Sequence, residues 1–181
     1  MGAGKTTYAH NTFDSAGAQI IDADTEAKLL MARDSRIQRR LQDAFGASVI
    51  SNGSIRTDIL ARAAFESAES LKTLNSIVHP PLTEYLKTLI DECAKPVCVL
   101  DAAVIPLLRI ESWFDKCIWI DTPFEIRLER LKIKRADISE QELIHRMRLQ
   151  EEVMGGVGGG CWVVIKSKSK SNSFYGDGDT P

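Results

Sequence analysis

The chain has no excess of charge of either sign. Its 23 basic residues stand against 25 acidic ones, a net charge of -2 at pH 7, so no global field draws it to nucleic acid. Cysteine is scarce and scattered: Cys93, Cys98, Cys117 and Cys161 show neither C-x-x-C spacing nor histidines at metal-ligand intervals. That excludes a zinc framework and reads as reduced, partly buried cytosolic thiols. No secretory leader is expected ahead of the first residues, and no apolar run approaches the ~18 residues that a membrane span requires. What remains is a sequence of 181 residues, 44% hydrophobic and 27% charged, enough for one domain with its own core. The default expectation is a cytoplasmic, monomeric enzyme with no nucleic-acid or membrane partner.

The most informative stretch is the first, Met1-Gly2-Ala3-Gly4-Lys5-Thr6-Thr7. It reads as the end of a G-x-x-x-x-G-K-[ST] phosphate-binding loop that runs into a helix. Gly2 and Gly4 permit backbone angles and a close approach that a Cβ would forbid. Lys5 places a point charge on the β- and γ-phosphates, and the Thr6 hydroxyl suits Mg²⁺. The expected ATP contacts are Gly2, Ala3, Gly4, Lys5, Thr6 and Thr7, at the positive end of the helix that follows. The pattern's first glycine would fall upstream of Met1, together with the strand that leads into such a loop. The expectation is therefore a sheet without its first strand, from an internal methionine taken as the start or from a truncated gene.

Further along, residues 18–22 read as a buried strand ending at Asp22, with Asp24 just beyond. In an open α/β sheet, carboxylates at strand ends arrive near the bound ligand. One helix is predicted from Glu26 to Phe45, ended by Gly46, and a tight turn at Asn52-Gly53. Helices follow over Asp58–Glu69 and from Ser70 to His79-Pro80-Pro81, with a separate helical stretch from Leu82 to Cys93. The apolar runs Val97–Asp101 and Cys117–Asp121 have the signature of parallel strands covered on both faces. Thr122-Pro123-Phe124-Glu125 and Ser139-Glu140-Gln141-Glu142 both read as capped helix starts. A strand is possible at 161–165, and 166–181, alternating Lys and Ser before Gly-Asp repeats, reads as a disordered tail.

Gly-Ala-Gly-Lys-Thr, Ile-Asp-Ala-Asp, Phe-Gly, Leu-Asn-Ser-Ile-Val-His-Pro, Ile-Asp-Thr-Pro and a late Arg-Met-Arg-Leu-Gln occur in this order. Over about residues 1 to 152 the series resembles dephospho-CoA kinase. The resemblance implies a doubly wound parallel α/β sheet of the P-loop kinase type in residues 1–165. It would carry a helical acceptor-binding insertion at about 26–95 and a lid at about 127–150. It also implies transfer of the γ-phosphoryl group of ATP to the ribose 3′-hydroxyl of dephospho-CoA, the last step of coenzyme A synthesis. Asp24 matches the carboxylate that accepts the hydroxyl proton. Asp22 then supports either the metal shell, with Thr6, or the geometry of Asp24, while His79 and Pro80 match a motif on the acceptor side. Lys5, Asp24 and Arg146 are the expected catalytic residues. Arg146 and Arg135 clamp phosphate, because guanidinium groups fork onto phosphate oxygens and stay charged; Arg127 and Lys132 are expected to face solvent.

The chain also departs from the family's pattern. Thr57 stands where an arginine is usual, with Arg56 before it. Ala102-Ala103-Val104-Ile105 intervenes before Pro106-Leu107-Leu108, and Glu111 sits one place late. Two rival readings stand beside this one: a nucleoside or nucleotide kinase on the same scaffold, which would share the loop and lid, and an inactive, truncated nucleotide-binding remnant, which the missing first strand, the absent first loop glycine and the unusual tail would explain.

Overall fold

Gly4 sets the fold in motion. Its φ of 90° lies in the left-handed region that a Cβ disfavours, and α1 (Lys5–Phe13) starts immediately behind it. The computed structural model describes residues 1–154, 162–167 and 174–176. Among these, β1 (Gln19–Asp22) follows α1, and β4 (Cys98–Asp101) lies parallel to it in the register Gln19↔Cys98 to Asp22↔Asp101. A second parallel pair, β5 (Cys117–Asp121) and β6 (Trp162–Ser167), carries β7 (Phe174–Gly176) antiparallel on its far side. The α/β class with parallel strands is the one expected. Strand β6 runs on to Ser167, and β7 lies inside the stretch whose composition suggested disorder; ladder partners outweigh the composition there. The glycines of 155–160, Cys161 and the rest of that tail lie outside the described residues.

Between β1 and β4 comes the helical insertion. Where one helix was expected, the structure has two, α2 (Ala23–Arg33) and α3 (Ser35–Phe45). Asp34 divides them because its carboxylate accepts from the amides of Arg36 and Ile37, at 2.7 and 3.4 Å, which makes it an N-cap for the second helix. The Asn52-Gly53 turn closes a hairpin of β2 (Ile50–Ser51) and β3 (Ser54–Ile55), with φ of 49° and 72° at the two turn residues. Then α4 (Thr57–Ala64) leads into α5 (Ala68–Asp91).

Helix α5 passes straight through Pro80 and Pro81, where the sequence suggested a stop. Each internal proline costs about 3 kcal/mol or more. Against this, Ile77, Val78, Leu82 and Leu86, flanking the prolines, are all buried, at about 1.5–3 kcal/mol each. Ile77 and Val78 pack with Ile37, Leu41, Val49 and Leu60 in the insertion core, whereas Leu82 and Leu86 pack with Ile21 and Ala23 under the first sheet. One helix thus ties the insertion to β1, and continuity is what lets it serve both cores.

The short α6 (Ile105–Leu108) follows β4, and the region expected to form a lid consists of two helices, α7 (Phe124–Lys134) and α8 (Glu140–Met154). Leu131, Leu143 and Met147 form its buried seam, with Met1 and Phe124 packed against it. Ser139 caps α8 as expected, its hydroxyl accepting from the Glu142 amide at 3.3 Å. Thr122 does not cap α7; Pro123 holds that position without a side-chain bond. Among the described residues no helix is long and apolar enough to cross a membrane.

Candidate active site

The loop is held by its carbonyl oxygens. The buried Thr122 hydroxyl, just past the end of β5, donates to the Ala3 carbonyl at 2.9 Å. A terminal nitrogen of the Arg130 guanidinium reaches the same oxygen at 3.2 Å and that of Gly2 at 3.4 Å. Gly2, with φ 71°, lies so close to α7 that a Cβ there would meet the Arg127 carbonyl at 2.7 Å. With these carbonyls engaged on the lid side, the peptide N–H groups of residues 2–6 are left to gather an anion at the start of α1.

Asp101 completes the opposite wall. It ends β4, is buried, and accepts a hydrogen bond from Thr6 Oγ1. Lys5 Nζ lies 4.0 Å from its other oxygen. A carboxylate, a hydroxyl and an ammonium therefore meet at one point on the loop. The sequence reading attached no role to Asp101, although it carries the signal noticed at Asp22: a carboxylate closing an apolar strand.

Asp22 is the neighbour of Asp101 in strand register, about 4.8 Å away in the hydrogen-bonding direction. Its carboxylate is turned to its own helix, accepting from the amides of Asp24 and Thr25 at 2.9 and 3.2 Å and from the Thr25 hydroxyl at 3.1 Å. This is N-cap geometry. Thr6 is thus paired with Asp101, and Asp22 shapes the turn that carries Asp24, which stands exposed in the first turn of α2.

His79 is half-buried within α5, and burial lowers its pKa from the usual imidazole value. Pro80, beside it, is exposed. The His79 carbonyl accepts from the Thr83 hydroxyl at 2.8 Å.

The arginines of α7, α8 and the turn between them fall into two groups. Arg127, expected in solvent, is 16% exposed: it donates to the Thr122 carbonyl at 3.1 Å, pairs with Glu151 and lies over the Phe124 ring. Arg130 reaches the loop, as described above. Arg135 instead pairs with Asp137 on the surface. Arg146 pairs with Glu142 at 2.7 Å and stacks on Phe65 at 5.2 Å, while His145 Nε2 contacts the Phe65 carbonyl at 2.8 Å. Thus α8 docks on the end of α4, and Arg146 is held there. Lys132 pairs with Glu129 and Glu140. Gln150, which ends the late Arg-Met-Arg-Leu-Gln run that Arg146 begins, accepts from the Met1 nitrogen at 2.6 Å.

The oxygen pair of Thr6 and Asp101 fits a small, hard cation. Mg²⁺ takes one or two protein oxygens and completes its shell with water and phosphate. Among the described residues there is no cluster of three or more His, Cys, Asp or Glu that could hold a metal, so a cage of side chains is not what the site offers.

Comparison with known proteins gives a consistent picture. The family model described as dephospho-CoA kinase matches residues 1–155. The chain is 33% identical over 155 residues to a dephospho-CoA kinase of Corynebacterium diphtheriae, a match that covers 83% of this chain and 76% of that one. With a dephospho-CoA kinase of Porphyromonas gingivalis it shares 28% identity over 152 residues, 84% of this chain and 74% of the other. A crystal structure of a Thermus thermophilus protein superimposes with a TM-score of 0.67 at 23% identity, covering 95% of this chain and 86% of that one. That last similarity concerns the fold alone.

Proposed function

Because the chain belongs to the dephospho-CoA kinase family, we propose that it moves the γ-phosphoryl group of ATP to the ribose 3′-hydroxyl of dephospho-CoA, giving coenzyme A and ADP. The observation that carries the reading is the register of Asp22 with Asp101. It supports the reading because Asp22, which caps the turn leading to Asp24, ends the strand next to the one whose carboxylate touches the phosphate loop.

In this reading residues 2–7 wrap the ATP phosphates, with backbone amides as donors and Lys5 as the charge on the β- and γ-phosphates. Thr6 and Asp101 would hold Mg²⁺, which when bound neutralises charge on the phosphate oxygens. Asp24 accepts the proton of the ribose hydroxyl as its oxygen attacks the γ-phosphorus, and the bond to the β-phosphate oxygen breaks to release ADP. Asp22 fixes the turn from which Asp24 projects. Arg146 and Arg135 are the lid's contribution to the transferring charge. Each is now paired with a carboxylate, Glu142 or Asp137, which a more highly charged phosphate would replace. Arg130 and Thr122 keep the loop's carbonyls turned away from the nucleotide. His79 and Pro80 border the acceptor, and burial lowers the pKa of His79, which favours its neutral form.

The test supplies ATP and an equimolar mixture of dephospho-CoA, adenosine and the common nucleoside monophosphates, and identifies the phosphorylated product by mass spectrometry. The reading requires coenzyme A as the dominant product. Phosphorylation of a nucleoside or nucleotide in its place would move the chain to the rival substrate class.

A further inference from the structure

Arg146 is gripped from two elements. On its own helix its Nε donates to Glu142, one turn back, at 2.7 Å, the spacing at which side chains of a helix meet. From the helical insertion the Phe65 ring faces the guanidinium, with 5.2 Å between Cζ and the ring centroid, inside the reach of a cation–π contact. The residue before it on α8 takes another part of Phe65. His145 Nε2 lies 2.8 Å from the Phe65 carbonyl, and because a carbonyl only accepts, that nitrogen carries the proton. Two consecutive residues of α8 therefore hold one residue of the insertion, by its ring and by its backbone.

Phe65 is a firm support. It caps α4, its N–H donates to the Ala61 carbonyl at 3.0 Å, and Leu60 and Ala64 just before it are buried. The ring is thus tied to the insertion core.

What this grip leaves open is the edge of the guanidinium. A ring face attracts the cation by its charge and uses none of its N–H groups. Among the described residues Arg146 makes one hydrogen bond, from Nε to Glu142, although only 13% of its side chain is exposed. Its terminal N–H groups, the fork that suits phosphate oxygens, have no protein partner there. Asp137 is held below the usual carboxylate value, first by the hydrogen bond from Arg135 and also by the charge of Arg146. Both guanidinium groups act on that one exposed carboxylate, so an anion of higher charge would meet the two together. If it displaced Glu142 the pairing within α8 would be lost, and the ring contact would remain.

We propose that Phe65 is a positioning residue for phosphoryl transfer: its ring keeps Arg146 aimed at the transferring group, and so ties the phosphate clamp to the helical insertion. The assignment rests on the phosphoryl-transfer reading above and adds a residue outside α7 and α8 to the machinery. His145 fastens the two elements through the backbone and takes no part in the chemistry.

The experiment is a double-mutant cycle on the full chain, with Phe65→Leu, Arg146→Ala and the two combined, and with Phe65→Tyr as the variant that keeps a ring face. Rates of coenzyme A formation are measured over a range of ATP concentrations. Arg146→Ala lowers kcat by about 10²–10³-fold. Phe65→Leu keeps the apolar volume and lowers kcat by about 3–30-fold, while the KM for ATP stays within about twofold. Phe65→Tyr stays within about twofold of the parent. The combined variant is no slower than Arg146→Ala to within about twofold, because the ring acts through the arginine. A merely structural role would give losses that multiply. Where Phe65→Leu does not melt cooperatively, Phe65→Met takes its place in the cycle. Multiplying losses, an effect confined to KM, or a Phe65→Leu rate equal to the parent's would overturn the proposal and leave the kinase reading intact. If the parent phosphorylates a different acceptor of the mixture, the substrate assignment falls, and the same cycle on that acceptor decides the role of Phe65. A folded parent that phosphorylates no acceptor overturns both.

Discussion

The Thr6 hydroxyl donates a hydrogen bond to the carboxylate of Asp101, across 95 positions of sequence. This contact joins the phosphate loop to the end of β4, in a spot where Asp101 is only 8% exposed. Asp101→Asn keeps the shape and one acceptor oxygen but removes the charge. It should lower kcat by about 10–100-fold, raise the Mg²⁺ concentration needed for half-maximal rate, and leave the melting midpoint nearly unchanged. Steady-state rates across a Mg²⁺ titration check this. A kcat within twofold of the parent would remove Asp101 from the site.

Thr122→Val tests the other anchor. The substitution keeps volume but leaves the Ala3 carbonyl without its hydroxyl donor, at a cost of about 0.5–1.5 kcal/mol. The Arg130 contact to the same oxygen remains, so the loss should sit at the low end of that range, and ATP should bind more weakly. Urea unfolding and nucleotide titration measure the two effects separately.

Gly2→Ala should be worse than an ordinary surface change. The added Cβ would sit 2.7 Å from the Arg127 carbonyl in a residue whose φ is 71°. The Arg127 carbonyl cannot yield there without moving α7. We expect a loss of about 1–3 kcal/mol, read from denaturant midpoints. At Gly53, whose φ is 72° but whose Cβ direction is open, alanine meets strain alone and should cost less.

His79 gives the fold a pH dependence. Burial lowers its pKa below the ordinary 6.5, so between the folded value and 6.5 the unfolded chain binds more protons. Its contribution to stability is complete above 6.5 and is lost as the pH falls through that window. The carboxylates whose values are lowered, Asp34, Asp58 and Asp137, act below their ordinary 3.8, in a separate range. Urea midpoints at pH 7.5 and 5.5 should differ for the parent, and His79→Gln should shrink the difference. An unchanged difference would place the titration elsewhere.

Much of this site was legible in the residues, for local reasons. Gly4 and Lys5 announce the loop because only glycine tolerates that φ and because the helix start follows at once. Asp22 and Asp24 were legible as a strand end. What the sequence did not reveal was which strand-end carboxylate faces Thr6. Asp22 and Asp101 carry the same local signal, and only the ladder and the cap at Asp24 and Thr25 separate their roles. Proline rules misplaced the end of a helix at Pro80, because buried partners on either side of it outweigh two missing amides. Thr122 resembled a cap in sequence, yet its hydroxyl is used by a loop 119 positions away. The arginines were the least legible, since Arg127 and Arg146 find their partners, Glu151 and Phe65, only after the lid has folded.

The most direct measurement is ADP release from Mg-ATP by the purified chain, with dephospho-CoA, with adenosine, and with no acceptor. The account predicts release that depends on dephospho-CoA, is not supported by adenosine, and falls by about 10²–10⁴-fold in Asp24→Asn. A cooperatively melting chain that binds ATP yet releases no ADP beyond the acceptor-free rate would contradict it.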